Sequence, residues 1–319
     1  MAQVKLAVTL KALGFYAEAE ARLRTGIGLA ASSHDGGKLV LTARIVLSDV
    51  LWELGRRDEC ESDLASLVDD CRRSLGDRDS VTIWAMADFG FRLFRRDKFA
   101  EAQELAEALL AANPVVGGSG PPAALMAMQN LASVHLAVGE FEIGERWQRE
   151  VKAGWRTTLG KANEMAIMTA ILLAGTVADR GDYDEALRLG EPALANAQRI
   201  KREENINVRS SLSVMAKVFY RTGRLADAND LVDSVLADDS ANLNIASDSA
   251  TIHRVKSAHV LHLLGRYSEA KVLRENVSFV TVDLLGEDDL DSLKAICCLG
   301  TPSESLAKPK GPLRSMSRC

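Results

Sequence analysis

Gly181-Asp182-Tyr183-Asp184-Glu185-Ala186 and Gly265-Arg266-Tyr267-Ser268-Glu269-Ala270 are two copies of one phrase: glycine, any residue, a large apolar residue, any residue, an acid, then alanine. Gly223-Arg224-Leu225-Ala226-Asp227-Ala228 keeps every class, and Gly14-Phe15-Tyr16-Ala17-Glu18-Ala19 stands near the start. Gly139-Glu140-Phe141 opens a copy with Ile143 and Gly144 in the acid and alanine places. Gly55 opens one ending Glu59-Cys60, and Asp97-Lys98-Phe99-Ala100-Glu101-Ala102 carries Asp in the glycine place. These openings, at 14, 55, 97, 139, 181, 223 and 265, are separated once by 41 residues and then five times by 42. Leu75-Gly76, Leu159-Gly160 and Leu285-Gly286 keep the same period, their glycines lying 84 and 126 residues apart. A fixed period of this length marks a repeat architecture.

Each place in the phrase has a physical reason. Glycine ends a helix in the left-handed conformation without the Cβ penalty, and Asp97 is the kind of residue that tolerates it next best. The large apolar residue two places on is expected to anchor the turn in the crevice between helices. The acid falls in the first turn of the second helix, where the helix dipole favours negative charge. The alanine lets two helices approach closely, since interaxial distance follows the size of the contact side chains. Around the phrase the apolar spacing is helical. Met128, Leu131, Ala132, His135 and Leu136 precede Gly139 at i, i+3, i+4, i+7 and i+8, and Leu212, Met215, Ala216, Phe219 and Tyr220 repeat the pattern before Gly223. After Gly181, Ala186, Leu189, Gly190, Ala193 and Leu194 form the matching face. Each period is therefore a pair of antiparallel helices.

The Gly-x-Tyr-x-Glu-Ala turn, with Leu131-Ala132, Leu173-Ala174 or Phe89-Gly90 upstream, resembles the tetratricopeptide repeat. The 42-residue period, Leu-Gly at the connecting loop and Asn130-Leu131-Ala132 in a first helix resemble the kinesin-light-chain variety, although the His-Pro usual in that loop is missing from every copy. The resemblance implies an all-α, right-handed superhelical solenoid of about seven repeats plus a partial eighth, with a concave face lined by first helices.

On this reading the array covers residues 1–299, and residues 300–319, with three prolines, serines and lysines, form a disordered tail. The Gly/Pro stretch 113–122 keeps the 42-residue register and is a loop rather than a domain boundary. Residues 1–13 read as a first helix with no cap before it, and Leu284 to Leu299 begins an eighth repeat without a second helix. Repeat arrays are ordinarily capped by polar helices. The chain is thus expected to be a piece of a longer array or a truncated product, with self-association through its ends left open.

Composition narrows the function classes. The net charge of −5 argues against a nucleic-acid surface, which shows as a basic excess. The longest apolar run, Met165 to Ala178, is fourteen residues and falls short of the roughly 20 that a membrane span needs, so a helix buried inside the array is expected. The five cysteines are odd in number; Cys60 and Cys71 lie about 16 Å apart along one helix, too far for a disulfide, which points to reduced thiols in a cytoplasmic protein.

No catalytic set is visible. His259 and His262 share a helical face but have no carboxylate or cysteine at ligand spacing, so no metal is expected. Val116-Gly117-Gly118-Ser119-Gly120 follows no strand and lacks the Lys-Ser or Lys-Thr of a phosphate-binding loop, so no cofactor is implied. The expectation is a non-catalytic scaffold that binds a peptide or protein, with no nucleic acid and no membrane. The alternative is the sensor or oligomerisation region of a larger signalling protein of the nucleotide-switch receptor type.

By the family pattern, groove positions fall about three, six and ten residues before each turn glycine. They point to Trp52, Phe91, Phe94, Gln129 and Ser133, then to Lys217, Tyr220, His259 and His262, with Asn130, Arg221 and Lys256 as neighbours. His135 is expected to pack in the core. Aromatic toward one end and basic toward the other, such a groove suits a peptide carrying apolar anchors and acids. Trp52, Phe91 and Phe94 have an equal alternative in packing against the neighbouring repeat.

Overall fold

The computed structural model describes residues 2–32, 36–115, 120–160, 163–199, 206–241, 248–287, 289 and 292. Among these the chain forms fourteen helices in seven antiparallel pairs. The first four pairs are α1 (Ala2–Ala12) with α2 (Tyr16–Ala31), α3 (Gly37–Glu53) with α4 (Arg57–Leu75), α5 (Ser80–Arg95) with α6 (Phe99–Ala112), and α7 (Pro122–Ala137) with α8 (Phe141–Leu159). The last three are α9 (Glu164–Asp179) with α10 (Tyr183–Arg199), α11 (Ile206–Arg221) with α12 (Leu225–Ala241), and α13 (Asp248–Leu263) with α14 (Tyr267–Leu285). The pairs stack into a right-handed superhelical solenoid of the expected kind. The proposed tail, the eighth-repeat helix and most of the 113–122 loop's glycines lie outside the described residues.

All seven openings of the phrase take the same turn. Gly14, Gly55, Gly139, Gly181, Gly223 and Gly265 have positive φ, and Asp97 (φ 57°) is the only non-glycine among the described residues that does. The next residue donates its amide to a carbonyl five residues back, as Arg56 does to Leu51 and Arg266 to Leu261, both at 3.0 Å or less. This bond satisfies one of the carbonyls a helix end leaves without an intrahelical partner. Gly76, Gly160 and Gly286 also have positive φ, ending α4, α8 and α14. Three residues beyond two of these, Asp79 and Asn163 cap the next helix by accepting from Val81 N and Met165 N at 2.9 Å.

The alanine place is buried in every repeat: Ala19, Cys60, Ala102, Ala186, Ala228 and Ala270 are at most 1% exposed, and Gly144 is buried. The large apolar residue is less of an anchor than expected. Phe141, Leu225 and Tyr267 remain 58%, 50% and 47% exposed, because the turn lies on the rim of the pair rather than in its crevice. The place after the glycine, unrestricted in the sequence reading, has a structural use. Arg56 reaches back to Glu20 at 2.6 Å, Lys98 to Glu61, Arg224 to Glu191, and Arg266 to Asp233 at 2.7 Å, each in the preceding pair's second helix. These pairs are solvent-reached at one or both partners and contribute on the order of 0–1 kcal/mol each.

The run 165–178 lies in α9, whose Ile167, Ile171, Leu173, Ala174 and Val177 are all buried. No helix among the described residues is long and apolar enough to cross a membrane. Cys60 and Cys71, both on α4, are buried free thiols, and burial pushes their pKa values up to about 12 and about 11.

The core is not continuous. One cluster runs through the first four pairs to Leu131, and a second begins at Ile167 and runs through the last three. First helices touch in sequence (α3 on α5, α5 on α7, α9 on α11, α11 on α13), but α7 and α9 barely do so. The joint is made instead by α8 on α9, around Trp155, Val151, Leu125, Met128 and Ala166.

Candidate functional site

Where α7 and α9 part, the concave face encloses a cavity of about 600 Å³. One wall carries Phe94 from α5 with Gln129, Ser133 and Leu136 from α7. Leu172, Gly175, Thr176 and Asp179 of α9 and Ser213, Val214 and Lys217 of α11 continue round it. The far wall is Val255, Lys256, His259 and Val260 of α13 with Arg274 and Val277 of α14. Residues from the third and the seventh repeats thus face one space, because the superhelix curls tightly enough to bring them opposite one another.

The cavity is predominantly apolar with a basic side. Lys217 donates to Asp179 Oδ2 at 2.8 Å, and Arg221 lies 3.5 Å from Asp179 Oδ1. Among the described residues Asp179 is the one carboxylate in the lining, against Lys217, Lys256 and Arg274. Burial pulls Lys256 down to about 8, with the Arg95 guanidinium adding to the effect. Burial likewise holds His259 below its ordinary value of 6.5, and the positive fields of Lys217, Arg274, His262 and Arg221 act in the same direction. The site therefore disfavours further positive charge and favours an incoming anion.

Two glutamines supply neutral polarity. Gln129 Oε1 lies 3.5 Å from the Thr169 hydroxyl, which donates to it across the α7–α9 parting. Gln148 on α8 is 3% exposed, and its Oε1 has no hydrogen-bond partner among the described residues. An orphaned buried acceptor costs free energy that a donor from a bound molecule or water recovers.

Of the twelve positions expected on the groove, six line this cavity: Phe94, Gln129, Ser133, Lys217, Lys256 and His259. Arg221 sits on its edge through Asp179. The others are placed elsewhere. Trp52 is 1% exposed, with the guanidinium groups of Arg57 and Arg92 each 4.8 Å from its ring centroid. Asn130 is buried and donates to Ala87 O at 3.0 Å, tying α7 to α5. Phe91 lies beneath Arg92 at 5.5 Å, and His262 packs edge-on against Tyr267 at 5.1 Å. Tyr220 packs on the second core cluster. His135 is buried as expected, with Nδ1 2.6 Å from Glu140 Oε2.

Gln148, Arg274 and Val277 escaped the sequence reading because only first helices were mapped to the groove. A signal for two of them was present. Gln148 and Arg274 stand nine residues after their turn glycines, the place that Leu23, Leu64, Ala106 and Val232 fill as buried apolar residues in other repeats. A polar side chain in a core place is the mark of a site.

Comparison with known proteins agrees with this architecture. Residues 123–199, 164–239 and 41–62 match models described as tetratricopeptide repeat. No curated protein matches the chain. Among solved structures, the chain is similar to a Rap protein complexed with Competence and Sporulation Factor, 12% identical over 93% of this chain and 86% of that one, with a TM-score of 0.59. BtubC (BKLC) from P. vanneervenii is 17% identical over 72% of this chain and 91% of that one, with a TM-score of 0.57. NprR in complex with its cognate peptide NprX is 14% identical over 93% and 87%, with a TM-score of 0.52. At these identities the likeness is one of fold. The chain carries tetratricopeptide repeats over residues 41–62 and 123–239, and the same helix–turn–helix unit, on a 42-residue period, recurs through all seven pairs.

Proposed function

We propose that the chain is a non-catalytic scaffold that binds a short, extended, acidic peptide segment in the concave cavity. The observation that carries this reading is the pairing of an apolar floor with a basic wall, Lys217, Lys256 and Arg274 against the single carboxylate Asp179, in a protein whose net charge is −5. A volume of about 600 Å³ lies within the usual range of ligand pockets. It admits a few residues of a peptide, not a folded domain. Phe94, Leu136 and Leu172 offer an apolar anchor site, the basic wall takes a carboxylate, and Gln129 and Gln148 suit the backbone amides of an extended chain. Two of the proteins of similar fold are complexes with a factor or peptide, which is consistent with the reading.

The test uses fluorescein-labelled acidic decapeptides and the same sequences with Asp and Glu replaced by Asn and Gln. Fluorescence anisotropy is expected to show binding of the acidic set, weakened at least about ten-fold in a Lys217→Glu/Arg274→Glu variant of unchanged helicity. Ten-fold corresponds to about 1.4 kcal/mol. Equal binding of the neutral set, or equal binding by the variant, overturns the reading.

A further inference from the structure

The second repeat touches the seventh. A Cβ placed on Gly55, in the turn between α3 and α4, would lie 2.5 Å from Leu284 O and 3.0 Å from Leu285 Cδ2 at the end of α14. The equivalent turn glycines Gly139, Gly181, Gly223 and Gly265 meet nothing within 4 Å. Beside this contact Arg57 Nη1 reaches Asp289 Oδ1 at 3.3 Å, with the Arg57 side chain only 3% exposed, and α13 touches α3. Asp289 stands three residues after Gly286, the register place at which Asp79 and Asn163 cap helices. Arg57 also lies over the Trp52 ring, as does Arg92, and Arg92 is held by Asp49 at 2.6 Å. The seam is therefore wired into the core of the second and third repeats.

Across the ring from this seam lies the parting of α7 and α9, where the two core clusters separate and only the α8–α9 joint around Trp155 continues the packing. We propose that the array is a clamp: two rigid halves, the first four pairs and the last three, hinge at the α8–α9 joint and are latched shut by the α3–α4 turn on the end of α14. The hinge is the joint at which consecutive first helices among the described residues touch least, and the latch is a small contact between residues more than two hundred apart in sequence. Hinge closure around a cleft is an established mode of domain motion. Phe94 stands on one half and Lys256 and His259 on the other, so the cavity has both walls only when the latch is closed. Any molecule that spans the walls stabilises the latch, and latch opening weakens its binding by the same factor.

The clamp is tested without a ligand. Asn tolerates positive φ better than other non-glycine residues, so Gly55→Asn and Gly139→Asn carry a similar backbone cost. Only the first thrusts a side chain into Leu284. Small-angle X-ray scattering is expected to give a larger radius of gyration and maximum dimension for Gly55→Asn and for Asp289→Arg than for wild type, with Gly139→Asn unchanged and all helicities equal. High salt is expected to shift wild type toward the open dimensions, since the latch includes an ion pair. Wild-type dimensions in both Gly55→Asn and Asp289→Arg overturn the latch. A wild-type dimer by light scattering, with the seam formed between copies, overturns it too.

Discussion

Gly154 on α8 faces Leu125 on α7 so closely that a Cβ there would sit 2.4 Å from Leu125 Cδ2. Leu125 is fully buried in a cluster with Trp155, Val151 and Met128, so it has no free space to retreat into. Gly28, in the last turn of α2, is the complementary case: exposed, with nothing within 4 Å of the place a Cβ would take. Replacing glycine by alanine inside a helix gains about 1 kcal/mol from backbone propensity in either place. At Gly154 the added methyl also overpacks a filled core, which costs about 1–3 kcal/mol. The propensity gain cancels when the two variants are compared, so Gly154→Ala should be about 1–3 kcal/mol less stable than Gly28→Ala. Gly144→Ala should fall between them. Its Cβ would meet Leu136 at 2.6 Å and Ala132 O at 3.0 Å; the Leu136 side chain borders the cavity and can swing into it, while the backbone carbonyl must shift by a few tenths of an ångström. Urea denaturation followed by far-UV circular dichroism reads the order directly from the midpoints. If Gly154→Ala gains as much as Gly28→Ala, the close approach of α7 and α8 is wrong, and with it the joint on which the proposed hinge turns.

The cavity makes further predictions. His259 should titrate below 6.5 in the free protein, because burial and the surrounding cations oppose its protonation. The unfolded chain then takes up this proton at higher pH than the folded one, so stability is fully present above the ordinary histidine value and is lost as pH falls through the folded value. Nuclear magnetic resonance titration of the His259 ring, and melts at pH 7.5 and 5.5 compared with His259→Asn, check the sign; a titration above 6.5 refutes the basic wall. Binding of an acidic peptide should raise this pKa. Asp179→Asn should release Lys217 and Arg221 and tighten acidic-peptide binding by up to about 1 kcal/mol, the scale of a contact charge pair in water, with the gain shrinking in salt. An unchanged or weaker affinity by calorimetry counts against the charge argument.

The turns were legible because they are local. A left-handed residue every 42 positions needs glycine or a tolerant substitute whatever surrounds it, and the second helix needs a small residue five places on. The same spacing placed the helix pairs, and the length of the apolar run 165–178 pointed to a helix buried inside the array. The candidate site was half legible. Phe94, Gln129, Ser133, Lys217, Lys256 and His259 could be placed on first helices by counting back from the turn glycines. Whether an aromatic residue at such a place faces the cavity or the next repeat depends on its neighbours. Trp52 has Arg57 and Arg92 over its ring and goes inside; Phe94 leans on Phe99 at 5.9 Å, has no cation over its ring among the described residues, and stays at the wall.

What the sequence determined by itself was therefore the unit: helix, turn, helix, the residues at each turn, and the stacking order, since all of these follow from interactions within one period or between adjacent ones. The curl of the stack, the parting between α7 and α9, and the meeting of Gly55 with Leu284 were decided only by tertiary structure. The physical reason is accumulation. A small rotation between neighbouring pairs is invisible in any one repeat, but summed over several repeats it brings residues more than two hundred positions apart into contact. It is this summed rotation that turns an aromatic end and a basic end into two walls of a single cavity.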